Sequence, residues 1–163
     1  EKERHRLVGV RMVPTVAWKS PPVIQHGDFH FALLNCSELT NIRYRAELRG
    51  KVDALFITEW NPDIDTFNAL VESASLDIHA FIVQCNNRSY GDSRISAPYT
   101  VRGQRDILQV KGGNHDYCIT GEIDVQALRK FQSSHRSPGK PFKPVPDGFN
   151  DDMAASRKAL PST

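Results

Sequence analysis

Residues 30–35, His-Phe-Ala-Leu-Leu-Asn, form the most strand-like run of the sequence, and Cys36 follows them directly. A short, continuous apolar run is typical of a strand that is covered on both faces of its sheet. From Glu38 to Arg49 the apolar residues change to a helical period, and Gly50 is a natural end for that helix. The stretch therefore predicts a strand and then a helix, with Cys36 at the junction.

The same alternation repeats downstream of this junction. Residues 52–58 form a second apolar run, and residues 80–85 form a third. Between them, either Asp63 or Asp65 can cap a helix that runs to about Ile78 with apolar residues at helical spacing. The order strand, helix, strand, helix, strand predicts an α/β layered core.

Shorter elements flank this core on both sides. Branched and apolar residues predict a strand at 7–13, and three further short strands at 93–97, 107–110 and 117–123 are joined by glycine-rich turns. A last helix is predicted from Asp124 to about Gln132. The helices thus become rare after the third core strand.

The chain has 163 residues and a mass of 18.4 kDa, which is the size of one domain. Beyond the last helix it is rich in proline, and residues 125–146 carry five Lys or Arg but no acid. Such a proline density excludes regular structure. We therefore predict a domain at 1–132 and an extended, basic, Pro-rich arm at 133–163.

Composition and charge exclude several classes of protein. With 39% hydrophobic and 25% charged residues and a net charge of +2, the chain is typical of a soluble globular protein and not of a strongly basic nucleic-acid binder. No apolar run reaches the roughly 18 residues of a membrane span. Three cysteines without a CxxC pair favour neither a disulfide framework nor a zinc site. We expect a cytoplasmic location, no metal, no cofactor, and no direct contact of this segment with membrane or nucleic acid.

Cys36 is the candidate nucleophile. At the end of a core strand it should lie at the carboxyl edge of the sheet, where open α/β folds bind their ligands. The first turn of the predicted helix would favour its thiolate. The residues alone leave open a second interpretation, in which Cys36 is a small buried apolar side chain. For Cys85 and Cys118, which lie inside predicted strands, that second interpretation is the stronger one.

The surroundings of Cys36 resemble a known family. Residues 31–39, Phe-Ala-Leu-Leu-Asn-Cys-Ser-Glu-Leu, are similar to the nucleophile segment of the carbon–nitrogen hydrolase (nitrilase) superfamily, where an acid follows the catalytic cysteine by two residues. Further segments resemble that family in the same order: the next strand at 53–58, the helix and strand at 66–86, a Gly-x-Ser-x-Ile hairpin at 91–98, and the closing strand and helix at 121–129. The resemblance covers residues 31 to about 131.

The resemblance implies an αββα sandwich, of which this chain covers the C-terminal half; the N-terminal half, with the family's catalytic Glu, is expected upstream of Glu1. It implies hydrolysis of an amide or nitrile through a thioester on Cys36. Lys2 is the position that matches the family's oxyanion lysine, with Lys19 as the second choice. Some members carry another Glu before the cysteine, and here only Asp28 could replace it.

The resemblance also implies a substrate pocket and partners. Glu59, Trp60 and Asn61 follow the strand next to that of Cys36, where residues of the family shape the pocket; the alternative is a plain turn with a half-buried Trp. The family's packing implies a homo-oligomer whose C-terminal arm crosses to the partner. A second hypothesis is a catalytically altered, nitrilase-like interaction module of a larger protein, such as the domain fused to bacterial reverse transcriptases in anti-phage defence.

Overall fold

Three parallel strands form the centre of the sheet, as the alternation of strands and helices predicts. The computed structural model describes residues 20–134, 141–149 and 155–158. Its single sheet contains six strands in chain order: β1 (Ile24–His26), β2 (Phe29–Asn35), β3 (Ala54–Thr58), β4 (Phe81–Cys85), β5 (Ser93–Ser96) and β6 (Asp106–Val110). Strands β2, β3 and β4 are parallel, and the other neighbours are antiparallel. The predicted strand at 7–13 lies outside the described residues.

The helices connect these strands. They are α1 (Ile42–Leu48), α2 (Ile64–Ile78) and α3 (Val125–Ser134), with one-turn 3₁₀ helices at Cys36–Thr40, Arg102–Gln104 and Ala155–Arg157. The predicted α/β class is confirmed. The second sheet of an αββα sandwich is not among the described residues, and that part of the expectation stays a prediction.

The helix predicted from Glu38 to Arg49 is divided in two. Asn41 has an extended backbone, with φ −75° and ψ 103°, and its side-chain oxygen accepts a hydrogen bond from the N–H of Arg43 at 3.0 Å. An Asn side chain that caps the next helix competes with continuation of the previous one. The 3₁₀ turn therefore ends at Thr40, and α1 begins afresh at Ile42.

The strand predicted at 117–123 is wrong. The structure has no helix or strand between β6 and α3, and residues 111–122 are exposed. Tyr117 and Ile119, which gave the run its apolar alternation, are 59% and 52% exposed. An alternating pattern predicts a strand only where one face can be buried, and this segment instead crosses the surface.

The two faces of the sheet are covered differently. Helices α1 and α2 pack on the first face, over a core that includes Leu34, Leu55 and Ile82. On the second face, α3 and Phe142 cover the amino-terminal half of the strands. Towards the carboxyl edge that face is open, and Leu33 is 51% exposed.

A buried ion cluster holds the C-terminal residues to the sheet. Asp53, just before β3, is fully buried and binds the guanidinium groups of Arg129 in α3 and Arg157 in the last 3₁₀ turn. The nearest Arg129–Asp53 contact is 2.6 Å and the nearest Arg157–Asp53 contact is 3.1 Å.

Residues 141–149 contain no helix or strand, and only Phe142 forms an isolated bridge, with Tyr99. Within the described residues, the predicted arm therefore packs against its own chain.

His79 should make the stability of the protein depend on pH. It is fully buried at the end of α2, its Nε2 donates to the carbonyl of Lys143 at 2.7 Å, and its Nδ1 lies 3.3 Å from the side-chain amide of Gln132. Burial lowers the pKa of His79 below 6.5. Below about pH 6.5 the unfolded chain therefore binds a proton that the folded chain does not, so stability falls as pH falls.

We expect the free energy of unfolding, measured in urea at a series of pH values from 8 to 5, to decrease over the acid half of the series. The decrease should be smaller in His79→Asn. Asparagine is chosen because it tolerates the left-handed backbone of this position, where φ is 58°. His115→Gln, on the exposed segment, is the matched control and should keep the parent's profile. A decrease of the same size in His79→Asn would show that another group causes it.

Candidate active site

Cys36 lies at the carboxyl edge of the three parallel strands. Asn35, Thr58 and Cys85 are in register across β2, β3 and β4, so Cys36, Glu59 and Asn86 each come one residue after the end of a strand. Cys36 has a positive φ of 44°. Such a value is uncommon for a residue with a side chain and marks a backbone that its surroundings constrain.

The turn around Cys36 is held by its neighbours. The carboxylate of Glu38 accepts a hydrogen bond from the N–H of Asn35 at 2.8 Å. The side-chain oxygen of Asn35 accepts another from the hydroxyl of Thr58 at 3.1 Å, which links the turn to β3. The acid two residues after the cysteine, which the sequence marks as part of a motif, therefore stabilises the turn that presents the thiol.

Replacing Glu38 with alanine should loosen this turn. The variant leaves the N–H of Asn35 without its acceptor, and the loss of such a capping bond costs about 1 kcal/mol of unfolding free energy. Glu38→Gln keeps an acceptor oxygen and should lose less. Denaturant unfolding of both variants measures the difference, and equal losses would show that charge, and not the hydrogen bond, is what matters.

The helix after Cys36 differs from the prediction. Only a five-residue 3₁₀ turn follows the thiol, and the α-helix begins after the break at Asn41. The expected alignment of a long helix dipole with the sulfur is therefore absent. Cys36 itself is half-buried and packs against the core on the α1/α2 side of the sheet.

Glu59 and Asn61 point inward at the same edge. One carboxylate oxygen of Glu59 accepts from the amide of Gln84 at 2.9 Å, and the other is buried without a hydrogen-bond partner among the described residues. Burial raises the pKa of Glu59. Asn61 exchanges hydrogen bonds with the side chain of Asn86, at 3.0 and 2.9 Å. Glu59 is thus a buried carboxyl group with a raised pKa at the same edge of the sheet as Cys36.

Trp60 lies between these two buried residues and is 51% exposed. The three predicted pocket residues are therefore neighbours in the structure but face different surroundings. The predicted oxyanion lysine, Lys2, and the second choice, Lys19, lie outside the described residues.

Two residues of this edge were missed by the sequence analysis. Gln84 supports Glu59 from the next strand, and Arg94 pairs with Gln84 in register and donates to Asp106 at 3.1 Å. Gln84 interrupts the apolar strand β4, and Arg94 lies opposite it in β5, on the α1/α2 side of the sheet. A polar residue at an inward position of a strand was the signal that could have identified them.

Cys85 and Cys118 are not the buried cysteines that the sequence predicts. Both are exposed. Cys85 is the last residue of β4, and Cys118 belongs to the irregular segment that replaces the predicted strand. Cys85 lies at the end of a central strand on the face that α3 leaves open, and Cys118 lies on the surface, so no helix covers either side chain among the described residues.

Within residues 20–134, 141–149 and 155–158, no group of three or more His, Cys, Asp or Glu side chains is arranged to hold a metal ion. In the same residues no helix has the length and apolar character needed to cross a membrane.

The sequence matches no protein-family profile and no curated protein. Part of the fold is similar to structures of a nitrilase-superfamily amidase from Nesterenkonia sp. AN1. A mutant with acrylamide added to the active-site cysteine is 17% identical, with a TM-score of 0.49 over 63% of this chain and 42% of that chain. A cysteine-to-alanine mutant in complex with butyramide is 16% identical, with a TM-score of 0.49 over 63% and 41%. The chain thus spans less than half the length of these amidase structures.

Proposed function

We propose that this chain carries the nucleophile of a hydrolase that acts on non-peptide C–N bonds, with Cys36 as the attacking residue. The observation that carries the proposal is the positive φ of Cys36 at the carboxyl edge of the parallel strands. Constrained backbone of this kind is concentrated at functional sites, where surrounding contacts stabilise it. The ordered resemblance of residues 31–131 to the nitrilase superfamily supports the same reaction.

In this reaction the thiolate of Cys36 attacks the carbonyl carbon of an amide, and the carbonyl oxygen becomes a tetrahedral oxyanion. Lys2, on the strength of the resemblance, is the donor that stabilises this oxyanion, with Lys19 as the second choice. Collapse of the intermediate leaves a thioester on Cys36 and releases the amine, which takes up a proton. Water then attacks the thioester, the carboxylic acid leaves, and the thiol is regenerated. A nitrile would enter the same sequence through a thioimidate.

The residues after β3 would bind the substrate. Trp60 offers an exposed apolar surface next to the buried carboxyl of Glu59. Burial raises the pKa of Glu59, which favours the protonated form. In that form the carboxyl would donate a hydrogen bond to a carbonyl oxygen or a proton to a leaving amine.

Selective alkylation of the three cysteines tests the proposal. Cys85 and Cys118 are exposed and serve as ordinary thiols inside the same molecule, whereas Cys36 is only half-exposed. An inert Cys36 would therefore react more slowly than both. If the site activates this thiol, we expect iodoacetamide to modify Cys36 about tenfold faster than either exposed cysteine.

Peptide mass spectrometry of the intact protein can follow each thiol separately, because trypsin places the three cysteines in the distinct peptides 20–43, 52–88 and 112–129. Small aliphatic amides, added as competitors, should slow the labelling of Cys36 and leave Cys118 unchanged. Ammonia release from those amides should disappear in Cys36→Ala and persist in Cys118→Ser. Labelling of Cys36 no faster than that of Cys85 would contradict the proposal.

The second candidate is an interaction module with an altered site. The open part of the second sheet face favours it, because Leu33 is 51% exposed there and Phe56 and Val83 are only half-buried. An uncovered apolar sheet face commonly packs against another layer of protein. Full biological activity of a Cys36→Ala variant would support this module. Fusion to a reverse transcriptase and homo-oligomerisation both stay predictions.

A further inference from the structure

Two exposed thiols, Cys85 and Cys118, line the same cavity. The cavity has a volume of about 430 Å³ and lies at the carboxyl end of β4, on the open face of the sheet. Side chains of β4, β5 and β6 form its apolar floor, including Val83, Ile95 and Leu108, and the segment 111–119 forms one of its walls. Cys85 contributes from the end of a strand and Cys118 from that wall. They are separated by 32 residues of sequence, so only the fold brings them to one site.

The segment that carries Cys118 is fixed at both ends. Gly112 lies so close to the backbone of Gly91 that a Cβ there would be 2.8 Å from its nitrogen. At the other end, a Cβ on Gly121 would lie 3.0 Å from the side chain of Ile95. Ile95 pairs in register with Val83, two residues before Cys85 on the same face of the sheet. These anchors keep Cys118 close to the end of β4.

Between these anchors the segment is irregular and is tied to Arg88, through the Gly113 N–H at 2.9 Å and the Asp116 carboxylate at 3.0 Å. Residues 113–120 form no helix or strand, and their side chains are exposed. A disulfide needs two Cα atoms within about 7 Å, so a pair on rigid elements forms one only if it is already well placed. Here one cysteine ends a strand, and the other lies on chain whose backbone position is not fixed by a helix or a strand.

Cys36 is separated from this pair by the sheet itself. Its side chain packs on the α1/α2 side with Ala32 and Leu34, whereas Cys85 follows Val83 on the opposite face. Successive side chains of a strand point to opposite faces of the sheet. Cys36 therefore lies on one face and Cys85 on the other. Any disulfide chemistry at the cavity therefore leaves the candidate nucleophile untouched.

We propose that Cys85 and Cys118 form a redox-active dithiol site that reacts with small-molecule disulfides such as oxidised glutathione. One thiol loses its proton, and the thiolate attacks a sulfur of the glutathione disulfide; the first glutathione leaves and a mixed disulfide remains. The second protein thiolate then attacks the protein sulfur of that bond and releases the second glutathione. Two protein thiols are oxidised to one disulfide, and one glutathione disulfide is reduced to two thiols. The new bond ties the segment 111–119 to the end of β4.

Incubation of the intact protein with oxidised glutathione, followed by tryptic digestion without reductant, tests the site. Because the second step is intramolecular, with an effective thiol concentration on the order of millimolar or more, we expect peptides 52–88 and 112–129 to be recovered mainly as one linked species. The mass of the linked species should be two hydrogens below the summed masses of the two reduced peptides. The peptide 20–43 should be recovered as a free thiol or as a separate glutathione adduct. Cys36→Ser should give the same product.

Variants that lack one of the two cysteines distinguish a pair that reacts together from two thiols that react independently. In Cys85→Ser, Cys118 should stop at the glutathione adduct, and the converse should hold in Cys118→Ser. Unfolding the protein in guanidinium before oxidation should abolish the preference for the 85–118 bond. Glutathione adducts on both cysteines of the native protein without the linked peptide, or links that involve Cys36 equally often, would overturn the proposal.

Discussion

Replacing Asp53 with alanine is expected to lower the free energy of unfolding by about 3–5 kcal/mol, the cost of removing one partner from a buried ion pair. The carboxylate accepts hydrogen bonds from both Arg129 and Arg157, and from the N–H of His30 at 2.8 Å. Arg129 is 1% exposed and Arg157 is fully buried. Without Asp53, two guanidinium groups would remain in the interior with no carboxylate of comparable burial.

Urea or guanidinium unfolding of Asp53→Ala measures this loss. The matched control is Asp116→Ala, which breaks the Arg88–Asp116 pair at 3.0 Å on the surface, where both side chains are at least half-exposed. That variant should change stability by less than about 1 kcal/mol. Adding Arg157→Met to Asp53→Ala should recover part of the loss, because it removes one of the unpaired buried charges. A loss below about 1 kcal/mol in Asp53→Ala would show that the cluster is not what holds the C-terminal residues.

The same cluster gives an acid dependence of stability. Burial by itself would raise the pKa of Asp53, but the hydrogen bonds and charges of Arg129 and Arg157, together with the His30 N–H, hold the pKa below its usual value of 3.8. The folded chain therefore keeps the carboxylate charged at a pH where the unfolded chain binds a proton. The stabilisation is complete above pH 3.8 and is lost as the pH falls below it, a range well separated from that of His79.

Replacing Gly112 with alanine is the second change with a large expected effect. Its Cβ would lie 2.5 Å from the carbonyl oxygen of Arg88 and 2.9 Å from the Cα of Gly91. Both are backbone atoms and cannot rotate away, so the chain itself must move. We expect a loss of about 3 kcal/mol or more, at the upper end of the cost of overpacking. In Gly91→Ala the new Cβ would meet the Gly112 nitrogen, and the alanine would also have to adopt the positive φ of 79°. This variant should lose at least as much unfolding free energy.

Gly103→Ala is the control for these two variants. A Cβ at Gly103 meets no atom within 4 Å, and its φ is not in the left-handed region. Alanine there restricts the unfolded chain and should leave stability unchanged or raise it by up to about 1 kcal/mol. Denaturant unfolding of the three variants side by side compares them. If Gly112→Ala behaved like Gly103→Ala, the close crossing of the two glycines would be wrong.

The core elements could be predicted from the sequence because each depends on its own residues. Asp63 caps α2, as one of the two proposed aspartates, since a short polar side chain before an apolar period is a local signal. The position of Cys36 at the end of β2 follows from a continuous apolar run. The irregular segment that contains Cys118 was not predictable in this way, because whether an alternating run becomes a strand depends on what is available to cover it.

The candidate site was predictable in position more than in chemistry. The alignment of Cys36 with Glu59 follows from the parallel order of β2 and β3. The raised pKa of Glu59 depends on how deeply this carboxyl is buried, and that is set by tertiary packing. Asp53, Arg129 and Arg157 are spread over more than 100 residues, and no local pattern joins them.

The strand order has a consequence for how the protein acquires its structure. Among the described residues each strand lies beside the strand that precedes it in the chain, from β1 to β6. A sheet in this order can grow by adding each new strand to an edge that already exists. The antiparallel pairs at its two sides close short loops, whereas the parallel pairs β2–β3 and β3–β4 join residues more than 20 positions apart and form more slowly. The contact between Arg157 and Asp53 spans 104 residues and must close late. During synthesis the sheet can therefore assemble before the turn that carries Arg157 emerges from the ribosome and binds Asp53.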